Sequence, residues 1–229
     1  MKFVLADILG SVMLAVAFDM DGLMFDTESV YWKSAAALLG RRGFEYTEEL
    51  CDAIMGRPPR YCFEFFKSTF SLRESWQELQ AESEDLFLEF LGDGFSAMPG
   101  LFELLSYLEA RNIPKCICTS SSLRVVKAVL SGFDFWERFK FVLTAENVVC
   151  GKPAPEIYLT AAAEFGINAA DMLVLEDSEA GCLAANAAGA FPVIVLAEHN
   201  KNGNFKNAKL IVNALNDKKI KSIFDGDRG

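Results

Sequence analysis

Two aspartates separated by one residue, Asp19 and Asp21, give this chain its first candidate chemistry, in the stretch Asp19-Met20-Asp21-Gly22-Leu23-Met24-Phe25-Asp26-Thr27-Glu28-Ser29. They follow the apolar run Val12-Met13-Leu14-Ala15-Val16-Ala17-Phe18. Its length and texture are those of a strand buried on both faces. Such a strand delivers the acids to its C-terminal end, where ligands bind in open parallel α/β sheets. Residues two apart share a side only while the strand lasts. A turn at Gly22 can therefore aim the second acid elsewhere, leaving one carboxylate to attack while the other handles a proton. A pair of solvated loop acids is the plainer reading, and this segment alone does not decide between the two.

Three further segments weigh against the plainer reading. Ile113-Pro114-Lys115-Cys116-Ile117-Cys118-Thr119-Ser120-Ser121-Ser122 reads as a strand ending in a hydroxyl-rich turn. Gly151-Lys152-Pro153 sets one lysine in a tight turn ahead of the helix-like Pro155–Phe165. Met172-Leu173-Val174-Leu175-Glu176-Asp177-Ser178 is a third strand ending in two carboxylates. Each is weak alone, since hydroxyl residues after strands often cap helices. The order acid, hydroxyl, lysine, acid pair, each at a strand end or the following turn, is the specific signal.

In that order the segments resemble the four motifs of haloacid-dehalogenase-superfamily phosphohydrolases, in the subgroup of β-phosphoglucomutase-like and pseudouridine-phosphatase-like enzymes. The resemblance spans nearly all of the chain beyond about residue 12 and is least specific between the first motif and Met98-Pro99-Gly100. It implies that Asp19 is the nucleophile that takes the phosphoryl group. Asp21 is then the acid that protonates the leaving oxygen and later the base for the attacking water. It further implies Mg2+ held by Asp19, the backbone carbonyl of Asp21 and Asp177, with Glu176 direct or through water. Thr119 and the Ser120 N–H would grip a phosphoryl oxygen, and Lys152 would pair with Asp19 and the phosphoryl group. Gly22 leaves room for close backbone approach.

The remaining elements must position those residues. Between the first motif and Met98 the pattern turns helical: Ser29–Leu39 and Trp76–Leu91 carry apolar residues at helical spacing, with no strand-like alternation. This predicts about four inserted helices. Helix and strand then alternate: Leu101–Arg111, Ile113–Thr119, Leu123–Leu130, Phe141–Thr144, Pro155–Phe165, Met172–Glu176, Ala180–Ala188, Phe191–Leu196 and a late strand at Leu210–Val212. That alternation predicts an α/β doubly wound parallel sheet with right-handed crossovers. By resemblance, residues 1–28 and 96–229 form the catalytic core and residues 29–95 a helical cap that chooses the substrate. Arg57, in Met55-Gly56-Arg57-Pro58-Pro59-Arg60, is the candidate for gripping the non-reacting part of the substrate, with Arg60 second; a solvated arginine is the alternative for both. Tyr31 and Trp32 either close the pocket or belong to the core. His199 lies in a polar loop, Ala197-Glu198-His199-Asn200, and reads as a surface residue.

Composition narrows the partners. At 52% hydrophobic residues the chain can bury a sizeable core, and no segment approaches the roughly 20 apolar residues of a membrane helix. A net charge of −10 disfavours nucleic acid and anionic membranes, and repels phosphate at long range. Attraction for a phosphorylated metabolite must therefore be local. The expected assembly is a monomer or weak homodimer. Six cysteines without a CxxC pair read as free thiols in a reducing cytosol, hence a cytoplasmic enzyme. Met1-Lys2 and Ala15-Val16-Ala17 mimic a signal peptide, but cleavage there would remove the strand that presents Asp19. Met1–Ser11 is read instead as an extension, with Met13 as an alternative start, and Asp225–Gly229 as a frayed tail.

Four alternatives are weighed against a phosphatase. Dehalogenases and phosphonatases of the superfamily lack an acid at the position of Asp21. β-Phosphoglucomutase shares both acids but uses a cap histidine where this chain has Tyr31, and its cap arginine does not align with Arg57 or Arg60. A non-catalytic binding module would predict a broken motif, and all four are intact.

Overall fold

The computed structural model describes residues 13–54, 57–133 and 135–225. The expectations for the N-terminal extension and for residues 226–229 lie outside them. Six strands, β1 (Ala15–Phe18), β2 (Lys115–Cys118), β3 (Val142–Leu143), β4 (Met172–Glu176), β5 (Phe191–Val195) and β6 (Leu210–Val212), form one parallel sheet in the order β3-β2-β1-β4-β5-β6. The order reverses at β1, whose neighbours are β2 and β4, so the crevice between their C-terminal ends is the switch point where such sheets bind ligands.

Side-chain alternation in β1 and β4 divides the core. Val16, Phe18, Leu173 and Leu175 face one layer with α5 (Leu101–Ala110), α6 (Leu123–Ser131) and α9 (Lys218–Asp225). Ala15, Ala17, Met172 and Val174 face α7 (Glu156–Phe165) and α8 (Glu179–Ala187). The small residues at Ala15, Ala17, Ala161 and Ala184 bring these two helices close to the sheet.

Four helices lie between β1 and α5, as the helical periodicity predicts: α1 (Glu28–Gly40), α2 (Glu48–Ile54), α3 (Pro59–Phe70) and α4 (Trp76–Leu91). They enclose their own apolar cluster of Leu38, Leu39, Tyr46, Phe66, Leu79 and Leu86. A capping box starts α4: Ser75 Oγ accepts from the Glu78 N–H and the Ser75 N–H donates to Glu78 Oε2. The strand expected over 141–144 shrinks to two residues, β3, at the sheet edge. α9 is not anticipated by the motif reading, although Ile220, Ile223 and Phe224 carry a helical spacing onto the core. Cys116 and Cys118 share a face of β2 as free thiols, with their sulfurs 3.7 Å apart.

Candidate active site

Register alone brings the acids together. Phe18 pairs with Leu175, and the Asp19 N–H donates to the Leu175 carbonyl, so Asp19 follows β1 beside the Glu176-Asp177 end of β4. On the other side Phe18 pairs with Ile117, which places Thr119 and its turn next to the same crevice. Lys152 arrives from the loop after β3. Its ammonium donates to Asp19 Oδ1 at 2.5 Å, to Glu176 Oε1 at 2.6 Å and to the Cys118 carbonyl at 2.9 Å.

Asp19, Thr119, Lys152, Glu176 and Asp177 are all buried. Burial opposes the charge on Lys152, but the Asp19 and Glu176 carboxylates beside it more than compensate and hold it firmly protonated. Burial likewise raises the Asp19 carboxyl well above the ordinary range; Lys152 opposes that rise and the neighbouring acids add to it. Asp177 is raised by burial and by Glu176. Glu176 alone ends below its usual range, because its pairing with Lys152 outweighs burial.

Both Glu176 oxygens are filled by protein donors. Oε1 accepts from Lys152 and Tyr158, and Oε2 from the Asp177 and Ser178 N–H groups and the Ser178 hydroxyl. Tyr158 was not read from the sequence as a site residue; it stands on α7, where its spacing looks like core. The fit around Glu176 leaves no room for a side chain at position 181, where a Cβ would fall 1.8 Å from Glu176 Oε1. Gly181→Ala should therefore push Glu176 off Lys152 and cost about 2–3 kcal/mol of stability, with activity falling as Lys152 loosens. Urea unfolding checks this; a midpoint equal to wild type would show that Glu176 is not wedged.

Asp21 is held away from this group. Its Oδ1 accepts from Thr27 Oγ1 at 2.9 Å and its Oδ2 from Ser121 Oγ at 2.7 Å, with Thr119 Oγ1 at 3.4 Å. The Asp21 carboxyl is raised by burial against these three donors. The turn at Gly22, with φ +75°, separates the two aspartates as expected. A Cβ at Gly22 would also fall 2.3 Å from Asp177 Oδ2, so the glycine serves close approach as well as the turn. Among the described residues the Ser120 N–H has no hydrogen-bond partner and remains available to a ligand.

His199 corrects the sequence reading. It is no bystander on the surface: its Nε2 lies 2.8 Å from Asp177 Oδ2, and it lines the cavity above the acids. The loop is fixed there by Asn200, whose amide donates to the carbonyls of Asp177 and Val195. The available signal was its place just after a strand; that β5 pairs with β4 is not visible in the sequence.

A cavity of about 590 Å³ separates the helical insert from the strand ends. Asp21, Ser120, Ser121 and His199 line its floor, and Tyr31, Trp32 and Arg57 its insert side. Arg57 therefore faces the cavity and lies over the Tyr61 ring, whereas Arg60 packs over Trp76 outside it.

The donors suit a hard cation. Two carboxylates, of Asp19 and Glu176, pair with the Lys152 ammonium, and oxygens of Asp19, Glu176 and Asp177 lie within 4.8 Å of one another. With Glu176 filled by protein donors, Asp19, Asp177 and the Asp21 carbonyl would hold a divalent ion and leave positions for water and phosphate.

Known proteins identify the family. Residues 16–195 match the family model described as haloacid dehalogenase-like hydrolase. The chain is 35% identical over 184 residues to the Drosophila melanogaster protein named "Probable pseudouridine-5'-phosphatase", covering 78% of this chain and 79% of that one. It is 31% identical over 181 residues to the phosphorylated carbohydrates phosphatase of Thermotoga maritima, covering 77% and 82%. The crystal structure of a HAD hydrolase from Entamoeba histolytica superposes with a TM-score of 0.83 at 25% identity, over 95% of this chain and all of that one. With strand order, site geometry and sequence in agreement, the chain belongs to the haloacid dehalogenase-like hydrolases.

Proposed function

We propose that this phosphatase of small phosphorylated molecules works by two phosphoryl transfers, first to Asp19 and then to water, with Mg2+ as its cofactor. The observation that carries the reading is the divergence of the two aspartates: Asp19 is paired with Lys152, whereas Asp21 is held apart by hydroxyls. A carboxylate paired with a fixed ammonium is placed to attack phosphorus, and a carboxyl held apart by hydroxyl donors is placed to give and take a proton.

In the first transfer Asp19 attacks phosphorus, the ester P–O bond breaks, and Asp21 gives its proton to the departing oxygen. In the second, Asp21 takes a proton from water as that water attacks the aspartyl-phosphate, and the bond electrons return to Asp19. Lys152, the Thr119 hydroxyl and the Ser120 N–H oppose the charge on the phosphoryl oxygens. A cation held by Asp19, Asp177 and the Asp21 carbonyl supplies further neutralisation of phosphate charge. Glu176 acts through Lys152 rather than on the substrate, and residues 29–95 serve as the cap that selects it.

The substrate classes favoured are sugar phosphates and nucleotide-like monoesters. Support comes from the names of the two relatives and from a cavity that offers aromatic walls at Trp32, Tyr46 and Phe87 beside the Arg57 guanidinium. Screening phosphorylated metabolites for phosphate release, with magnesium or with chelator, tests the reading. Chelation should lower turnover at least about 100-fold, and readdition of magnesium should restore it. Equal rates under both conditions would remove the metal from the proposal.

A further inference from the structure

We infer that Tyr31 and Ser121 are positioning residues for Asp21, forming a directed hydroxyl chain from the helical insert to the acid/base. The inference rests on the role of Asp21 proposed above. Ser121 Oγ lies 2.7 Å from Asp21 Oδ2, and Tyr31 Oη lies 2.9 Å from Ser121 Oγ. A serine hydroxyl has one proton. When Asp21 is ionised it can only accept, so Ser121 spends that proton on Asp21 and must itself accept from Tyr31. In that state the chain runs from Tyr31 to Ser121 to Asp21, and in either state the two short contacts fix where the Asp21 carboxyl points.

The far end of the chain is rigid. Tyr31 stands on α1 and packs its ring against Phe87 of α4, with centroids 4.5 Å apart. Ser121 belongs to the turn after β2, and its N–H donates to Thr119 Oγ1 at 3.0 Å. Without the tyrosine hydroxyl the Ser121 rotor is set by Asp21 alone, and Asp21 keeps Thr27 as its one other short contact. A carboxyl free to turn about its last bond spends less time aimed at the leaving oxygen, and proton transfer is sensitive to that aim.

Leaving-group dependence separates this role from simple substrate contact, since both residues also line the cavity. Phenyl and p-nitrophenyl phosphate have similar shapes, but phenolate needs a proton on departure far more than p-nitrophenolate. The ratio of their kcat/KM values reports the first transfer. Tyr31→Phe should lower kcat/KM about 10-fold for phenyl phosphate and less than about 2-fold for p-nitrophenyl phosphate. Ser121→Ala should show the same bias more strongly, and Ser121→Thr, which keeps the hydroxyl, should abolish it. Because Tyr31 acts through Ser121, the double variant Tyr31→Phe/Ser121→Ala should be no worse than Ser121→Ala alone. Asp21→Asn sets the full size of the bias. Equal losses on both substrates, a change in KM alone, or additive losses in the double variant would overturn the chain while Asp21→Asn remains biased. Absence of bias in Asp21→Asn itself would overturn the acid role and the inference together.

Discussion

Asp19→Asn is expected to lower turnover at least about 10⁴-fold while leaving the protein folded. The amide keeps the size of the carboxylate, so the register between β1 and β4 and the Asp19 N–H bond to Leu175 survive. What disappears is, among the described residues, the one carboxylate beside Lys152 with an oxygen left to attack, because Glu176 has both oxygens occupied and Asp177 is turned to His199. Stability should change little. Lys152 retains Glu176, and one carboxylate is removed from a buried group in which the acids oppose one another's ionisation. Two measurements check this. Phosphate release should fall to the stated level, and rapid quenching with labelled substrate should trap a hydroxylamine-sensitive phosphoenzyme in the wild type but none in Asp19→Asn. Wild-type turnover in the variant, or labelling of another residue, would move the nucleophile elsewhere.

The parts of this site legible in the sequence are those that a strand's end fixes by itself. An apolar run says where a buried strand stops, and polar residues at the stop face the crevice, which is why Asp19, Thr119 and the Glu176-Asp177 pair were readable. Lys152 was readable only through the order of the motifs, since its loop says nothing about reach. Contacts that depend on which strands are neighbours were not readable. His199 meets Asp177 because β5 lies beside β4, and Tyr31 meets Ser121 across 90 residues because the insert folds back over β2. The sequence leaves Glu176 either direct to the metal or acting through water, and it does not show that Tyr158 and the Ser178 backbone orient this carboxylate toward Lys152. No local pattern distinguishes those two orientations of one carboxylate. The helical insert is legible for a different reason: two segments at helical spacing, Ser29–Leu39 and Trp76–Leu91, in a stretch without strand-like alternation point to helices whatever their packing.

Lys152→Met should be the most destabilising single change in the site. Methionine reproduces the straight side chain and removes only the charge and its donors. The ammonium is almost fully buried and makes three hydrogen bonds, two of them to carboxylates. Its loss leaves Asp19 and Glu176 facing each other in a site that water hardly reaches. Removing one partner from a buried pair costs about 3–5 kcal/mol, because the remaining charge is left uncompensated. For a chain of this size that corresponds to a fall of roughly 6–20 °C in Tm. Activity should fall by about 10³-fold, since the same ammonium opposes phosphoryl charge in the reaction. Glu176→Gln added to Lys152→Met removes one of the two orphaned charges and keeps an oxygen for Tyr158. The double variant should recover at least about 1 kcal/mol of stability with no gain in activity, a coupling that a double-mutant cycle reads directly. If Lys152→Met melts within about 2 °C of wild type, the lysine is not the charge that holds these strand ends together. If the double variant regains activity along with stability, the loss in the single variant came from unfolding rather than from the missing ammonium.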